Sequence, residues 1–474
     1  MSAEPSLLYV DLDGTLLTTD SLWETLVLVI RQKPSALARA LFALRYGKAA
    51  FKRVLATAVT LDVERLPYHP DVLAFIQEEQ KRGTRVILAT GADMLTARAV
   101  AAYLKLDDVL ASDGFINQIG EKKRSLIEAH AQGKPFAYIG NERIDQFIWS
   151  VAARAHVVAS LSQAKQLIPD ATKRGQIFPL YKRTWRDLPR LLRMKQWVKN
   201  LLVILPLFLA HQITNAAAWT NGLGAALAMS FIASAVYVIN DLLDIHADRR
   251  HPIKRERLFA AGKWPLVSAI YFAAVCLCIG FGLTFLLHST ILAQLLLGYL
   301  GISSLYTFIL KRFAIIDVLT LALLYVFRLY LGTIVMQITI SNWLLSFAFF
   351  FFTGLAFLKR FAELPHTTGV QGENGRGYNI RDADLLRVAG LGCGLVSLLV
   401  FALYLQGPEA IYLYHSPSVL WGCVVIILAW MLRVWLLAGR GEMIDDPIVF
   451  ALTDRWTHGA ILLTGLVLLI ATNL

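Results

Sequence analysis

Residues 216–248 read AAAWTNGLGAALAMSFIASAVYVINDLLDIHAD, a long apolar run from Ala216 to Ile239 that ends in Asn240, Asp241, Asp244 and Asp248. The run is long enough for a membrane-spanning helix, which needs about 20 apolar residues. Helical spacing places Asp244 and Asp248 on one face, with Asp241 one turn back. Acidic side chains at the end of such a helix, facing a bundle interior, mark a functional site. Hard oxygen ligands suit Mg²⁺, which binds through a few carboxylates and leaves positions for phosphate oxygens. Six basic residues follow at once: Arg249, Arg250, Lys254, Arg255, Arg257 and Lys263. Carboxylates beside cations at a membrane surface describe a pocket for a metal–diphosphate. A solvated loop obeying the positive-inside rule would explain the arginines but not the spaced aspartates.

Across 474 residues the chain is 56% hydrophobic, with a mean hydropathy of +0.54, which excludes an ordinary soluble protein. The apolar excess is uneven. Residues 1–165 mix charged and apolar positions like a globular domain, whereas the sequence after Leu201 is membrane-like. The net charge of +12 sits mostly between spans, so it speaks for orientation and anionic ligands and against nucleic acid. Cys276, Cys278, Cys393 and Cys423 lie in apolar runs and read as packing residues. The start, Met-Ser-Ala-Glu-Pro, lacks the order of a signal peptide, and the first domain is expected in the cytoplasm.

Nine spans are predicted, beginning near Val198, Ala216, Leu266, Thr290, Ala314, Trp343, Leu386, Val419 and Gly459. The first is short and contains Pro206. Basic clusters around Arg193, Arg250, Lys311 and Lys359 alternate with connections free of lysine and arginine, such as 211–215 and 336–342. The expected topology is therefore N-terminus inside and C-terminus outside.

Other polar groups collect on the same side. Before the first span stand Arg193, Gln196, Trp197, Lys199 and Asn200, which a snorkelling, Trp-anchored helix end would also explain. After the sixth come Lys359, Arg360 and Glu363, then Arg376 and Tyr378. Lysine binds phosphate as a point charge and arginine as a fork. Asp317, Tyr325 and Arg328 in the fifth span are further candidates to line a cavity, although Asp317 and Lys311 also read as a helix-end pair.

The pattern from Asn240 through His251, Pro252 and Lys254 to Arg257 resembles the first signature of the UbiA superfamily of intramembrane prenyltransferases, with Leu258 where that family usually has proline. The resemblance spans roughly residues 193–474 and implies nine helices. Many relatives carry a second aspartate cluster after the sixth span; here Lys359, Arg360 and Glu363 stand there. Together the Arg-x-x-Gln-Trp-x-Lys-Asn, Lys-Arg-x-x-Glu and Arg-x-Tyr patterns look like the decaprenyl-phosphate phosphoribosyltransferase branch, with Met194 in place of an expected proline. That branch implies 5-phosphoribosyl diphosphate as donor, a polyprenyl phosphate as acceptor, and a place in cell-wall biosynthesis. It puts Mg²⁺ on Asp241, Asp244 and Asp248, and the anionic groups near Arg193, Gln196, Lys199, Asn200, Asn240, Lys254, Arg257, Lys311, Arg328, Lys359, Arg360, Glu363, Arg376 and Tyr378.

In the first domain, Leu7-Leu-Tyr-Val-Asp11-Leu-Asp13-Gly14-Thr15 is an apolar strand ending in two carboxylates and a glycine turn. One carboxylate can attack phosphorus while the other donates a proton to the leaving oxygen. A second strand ends at Thr90-Gly91, Lys122 and Lys123 follow, and a third strand ends in Gly140-Asn141 with Asp145 beyond. Four such features in this order resemble the haloacid dehalogenase-like phosphohydrolases. The resemblance makes Asp11 the nucleophile, Asp13 the acid/base, Thr90 and Lys123 (or Lys122) phosphate ligands, and Asp11, Asp13 and Asp145 the Mg²⁺ ligands. Asn141 stands where that family often has aspartate. The helical insertion at about 20–66 fits a cap, its amphipathic pattern also being compatible with a membrane surface.

The expected organisation is a Rossmann-like α/β haloacid dehalogenase-type domain (1–165), a basic linker (166–192) and an all-α nine-helix transmembrane bundle (193–474), in a bacterial inner membrane. The expected activity is phosphoribosyl transfer to a lipid phosphate, with the first domain removing the product's 5-phosphate. Prenyl transfer to an aromatic acceptor is the second reading. A transporter is the third, disfavoured by the lack of inverted repeats. Oligomeric state, lipid length and the phosphatase substrate stay open.

Overall fold

The computed structural model describes residues 5–339, 341–364, 377–443 and 446–473. The chain forms two compact units, one made of Met1–Leu188 and Ile239–Tyr271, the other of Pro189–Val238 and Phe272–Leu474.

The first unit is built on a parallel sheet. The run Leu7–Val10 is apolar at every position, as suits a strand covered on both faces, and it forms β1. The sheet order is β3-β2-β1-β4-β5-β6, with β2 at Arg85–Asp93, β3 at Asp108–Ser112, β4 at Phe136–Gly140, β5 at Arg154–Val158 and β6 at Arg174–Phe178. After β1 the chain makes the cap, helices α1 (Ser21–Gln32), α2 (Ser35–Ala43) and α3 (Lys48–Ala58), which share a small core of Leu28, Val29, Ala36, Ala40 and Leu55. Helices α4 (Pro70–Lys81) and α5 (Met94–Leu104) contribute Val72, Ile76, Ala97 and Val100 to the core on one sheet face, where Leu8 and Val10 pack. Leu7 and Tyr9 face the other way, onto Ile127 of α6 (Glu121–Ala131) and Trp149. Strand order reverses between β1 and β4, so their carboxyl ends flank the crevice where open α/β sheets bind ligands. β6 lies within residues 166–192, a segment expected to be linker; it pairs with β5, and the domain therefore extends past Phe178.

The second unit is helical. Among the described residues eight helices are long and apolar enough to cross a membrane. They are α7 (Ala216–Leu243), α8 (Leu266–Leu286), α9 (Thr290–Phe308), α10 (Ile316–Val335), α11 (Asn342–Glu363), α12 (Ala383–Leu405), α13 (Trp421–Gly439) and α14 (Arg455–Asn473). The last turn of α7 and the first of α8 belong with the intervening loop to the first unit.

The first of the nine expected spans, from Val198, is not a regular helix. It is a 3₁₀ stretch, Met194–Val203, followed by a short α-helix, Leu205–Leu209, with Pro206 in its first turn. Proline removes a backbone donor and fits only a helix start, which forces the break. The pieces total about 28 Å at ~2.0 Å per 3₁₀ residue and ~1.5 Å per α residue. α10 packs hard against this segment, since a Cβ on Gly332 would lie 1.9 Å from the Val203 carbonyl oxygen. Small residues allow such close backbone approach in membrane bundles.

Candidate functional site

The crevice of the first unit gathers most of its expected residues. Asp11 follows β1 and accepts a hydrogen bond from Lys123 Nζ at 2.9 Å. Lys123 is buried whereas Lys122 is exposed, so it is Lys123 that reaches the crevice. Burial raises the Asp11 carboxyl to about 6 despite that ammonium group. Burial, with Asp20 nearby, raises Asp13 to about 7. Asp13 accepts from the Ser21 backbone N–H at 2.7 Å and its hydroxyl at 3.1 Å, at the start of α1. Gly14, at φ +71°, makes the turn between them, and a Cβ there would lie 2.3 Å from Asn141 Nδ2. Thr90 is fully buried at the end of β2, its hydroxyl accepting from the Ala92 N–H at 3.0 Å.

Asp145 is committed locally. One oxygen accepts from the Tyr138 hydroxyl at 2.7 Å, and the other from the Asn141 and Glu142 N–H groups at 3.0 Å each. It also lies 3.6 Å from Lys123 Nζ. One further residue, Lys52 of the cap, escaped the sequence reading. Its ammonium donates to the Gly91 carbonyl at 2.6 Å and Asn117 Oδ1 at 3.1 Å, and it is held below its usual range by burial while Asp13, Asp20 and Asp11 act against that. A lone lysine in a helical cap carries no sequence signal for this placement.

The acidic motif keeps its helical progression through the end of α7. The Asp244 N–H donates to the Asn240 carbonyl at 2.9 Å and the Asp248 N–H to the Asp244 carbonyl at 2.8 Å. The three carboxylates face cations from elsewhere in the unit. Arg257 Nη1 donates to Asp241 at 3.1 Å and to Asp248 at 2.6 Å, while Arg31 of α1 pairs with Asp244. Burial raises the Asp248 carboxyl to about 6 against the pull of Arg257. Among the described residues no three acidic, histidine or cysteine side chains converge as a ready metal cage. Each of the three expected ligands is paired with a guanidinium group instead. Carboxylate oxygens are of the hard donor class that suits Mg²⁺. Lys254 is half-buried in the loop beyond. Arg249 is taken up by Glu24, so it is a packing group and not a free phosphate ligand.

In the second unit Lys199, Arg328 and Arg360 are buried and Lys359 is half-buried, and each of the four has a polar partner. Lys199 Nζ and Lys359 Nζ donate to the same oxygen of Asp446, at 2.8 and 2.7 Å. Burial opposes ionisation of Asp446, but the two lysines outweigh it and hold the carboxyl far below its ordinary range. Lys199 and Arg328 both lie over the Tyr325 ring, at 5.6 and 5.4 Å. Arg328 donates to Asn200 Oδ1 at 2.9 Å and the Tyr299 hydroxyl at 3.0 Å, and Asn200 donates to Ser230. Arg360 pairs with Asp317 at 2.5 Å and Glu363 at 2.7 Å, and Tyr378 donates to Asp317 at 2.6 Å. Asp317 thus partners Arg360 and Tyr378. Arg193 lies over Tyr237 at 5.6 Å, and Gln196 is half-buried beside it. Arg376 lies outside the described residues. Asp446 was missed in the sequence because it stands in a connection with no other motif residue.

Residues 201–453 match the UbiA prenyltransferase family, and residues 8–145 match the haloacid dehalogenase-like hydrolases. The uncharacterized protein y4nM of Sinorhizobium fredii is 33% identical over 97% of this chain and 90% of its own length. Nodulation protein NoeC of Azorhizobium caulinodans is 28% identical over 55% of this chain and 85% of its own. Decaprenyl-phosphate phosphoribosyltransferase of Corynebacterium glutamicum is 35% identical over 36% of this chain and 53% of its own. With eight apolar helices among the described residues, an acidic motif at the end of the first of them and a family match over more than half its length, this integral membrane enzyme belongs to the UbiA prenyltransferase family and bears a haloacid dehalogenase-like hydrolase domain ahead of it.

Proposed function

We propose that the membrane domain transfers phosphoribose from 5-phosphoribosyl diphosphate to a polyprenyl phosphate, and that the first domain removes the 5-phosphate from the product. The observation that carries this reading is the pair of lysines, Lys199 and Lys359, converging on one oxygen of Asp446. Two ammonium groups that already converge on one carboxylate oxygen are a cation pair of the kind a phosphate oxygen would engage, and this supports an additional anionic group as ligand. An isoprenyl diphosphate carries one anionic group. A phosphosugar diphosphate and a lipid phosphate bring two more. The partial likeness to decaprenyl-phosphate phosphoribosyltransferase supports the same donor. In the second unit an apolar cavity of about 670 Å³, lined by Trp343, Phe347, Phe401 and Tyr404 among others, suits part of an isoprenoid chain.

Asp241, Asp244 and Asp248 would hold Mg²⁺, which would neutralise charge on the departing diphosphate. Arg257, already between two of these carboxylates, would turn to a phosphate oxygen once they are engaged. An oxygen of the lipid phosphate would attack C1 of the ribose as the bond from C1 to the diphosphate breaks, with Arg257 meeting charge on the departing diphosphate. In the first domain Asp11 attacks phosphorus. Asp13, whose raised carboxyl retains a proton near neutrality, delivers it to the leaving 5-oxygen. Water then cleaves the aspartyl phosphate with Asp13 as base. Purified protein given labelled phosphoribosyl diphosphate and assorted lipid phosphates should yield a labelled lipid. Turnover of geranyl diphosphate onto an aromatic acid, with none of phosphoribosyl diphosphate, would overturn the reading.

A further inference from the structure

Helix α1 of the cap touches both acidic centres of the first unit. Its first residue, Ser21, holds Asp13 through two hydrogen bonds. One turn on, Glu24 is fully buried and receives both arms of Arg249, at 2.9 and 2.6 Å. Arg249 also donates to the Ala260 carbonyl at 2.8 Å, and His246 Nε2 lies 3.2 Å from the Glu24 carbonyl. Burial disfavours the Glu24 carboxylate, but Arg249 outweighs that and keeps it ionised. In the last turn Arg31 donates to the Leu243 carbonyl at 3.1 Å and pairs with Asp244. Further along, a Cβ on Gly262 would lie 2.0 Å from Thr18 Oγ1, so the loop meets the segment that leads into the cap without spare room.

A buried two-pronged ion pair specifies geometry more than it adds stability, because removing one partner strands the other's charge. Its position here is telling. Arg249 directly follows Asp248, so Glu24 fixes the backbone that presents Asp248. Arg31, at the carbonyl end of α7, combines a favourable charge for a helix C-terminus with a direct hold on Asp244. We propose that Glu24 and Arg31 of the phosphatase-like domain are positioning residues for the acidic motif of the transferase, so that the cap completes that motif. This rests on the assignment of Asp241, Asp244 and Asp248 above. It explains why Arg31, in the hydrolase part of the chain, makes its side-chain contacts with residues of the transferase signature.

The experiment uses full-length protein in detergent, with Arg31→Met, Arg31→Lys and Glu24→Gln. Arg31 is a quarter exposed and on the cap, so its replacement leaves the sheet core intact. Hydrogen exchange is followed in peptides covering 239–257, and Mg²⁺ half-saturation is read from transfer assays. Removing partners that orient metal ligands typically costs about 10–100-fold in metal affinity or activity. Arg31→Met should speed exchange in 239–257 and raise Mg²⁺ half-saturation by about tenfold. Arg31→Lys should recover part of both. Glu24→Gln should act on exchange in the same peptides while β1 and β4 stay protected. Should Glu24→Gln lose protection throughout the sheet, the Arg31 variants decide the matter alone. Unchanged exchange and unchanged Mg²⁺ dependence in Arg31→Met would overturn the proposal. A wild type that transfers nothing from phosphoribosyl diphosphate would count against the donor assignment only, because the exchange result is read without substrate.

Discussion

Asp244 shows how a single residue ties the helix end to the reaction. It follows α7 directly, stands at the N-cap position of the helical turn Ile245–Arg250 and pairs with Arg31. Asp244→Asn keeps shape and hydrogen-bonding capacity but removes a charge from an all-oxygen metal site. Transfer should fall by more than the ~10–100-fold typical of an outer-shell change, with circular dichroism unchanged. Near-normal Mg²⁺-dependent transfer would remove Asp244 from the metal site. Protonation should compete with the metal at both centres. Burial lifts Asp11 to about 6, Asp13 to about 7 and Asp248 to about 6, so each carries its proton below those values and must release it to bind a cation. Mg²⁺ affinity should therefore weaken as pH falls through 7 and 6, by up to about tenfold per unit for each proton displaced. Calorimetric titrations showing the same affinity on both sides of that range would contradict the shifts. Residues of this kind were legible in the sequence because strand ends and helical spacing announce them. Lys52 and Asp446 were not, since each acquires its partners only through the tertiary fold.

At the scale of elements, the apolar runs and loop charges gave most of the helices, and alternating apolar strands with helical stretches gave the α/β sheet. Two elements escaped. β6, Arg174–Phe178, lies in a stretch rich in basic residues whose short apolar pattern does not stand out without its neighbour β5. The first span was expected as a helix, yet Pro206 splits it and a 3₁₀ stretch takes most of its length. Its close contact with α10 explains why Gly332 is small. Gly332→Leu should push α10 away from Val203, with an overpacking cost of about 1–3 kcal/mol and a lower unfolding temperature in detergent. A fully stable variant would show that the contact yields. This irregular segment also decides topology. The eight spans among the described residues would alone leave both ends of the bundle on one side, whereas a crossing by residues 194–209, about as long as a hydrocarbon core of ~30 Å, would add one more. We expect an alkaline phosphatase fused after Leu474 to be active in the periplasm and a fluorescent protein there to stay dark. The reverse result would mean that the segment turns back without crossing.

For the whole molecule, the question is why a hydrolase domain should be joined to a transferase at all. The transferase reading leaves a 5-phosphate on its lipid product. The other domain places Asp11 and Asp13 in one crevice with a buried Lys123, the set proposed above to remove a phosphate monoester. Covalent joining raises the effective concentration of the second centre to about millimolar for a short flexible connection. A domain kept only for folding or regulation would not need that chemistry intact, and Asn141 in place of the more usual aspartate leaves one charge fewer for the metal. Asp11→Asn separates these possibilities, because it removes the nucleophile while preserving size and hydrogen bonds to Lys123. With donor labelled in the ribose, wild type should release inorganic phosphate and accumulate polyprenyl-phosphoryl-ribose. The variant should transfer at a similar rate but stop at polyprenyl-phosphoryl-5-phosphoribose. Added wild-type protein should then convert that accumulated lipid, showing that it is an intermediate and not a side product. The same 5-phosphorylated lipid from both proteins, with no phosphate released by either, would leave the first domain with the positioning role of its cap alone.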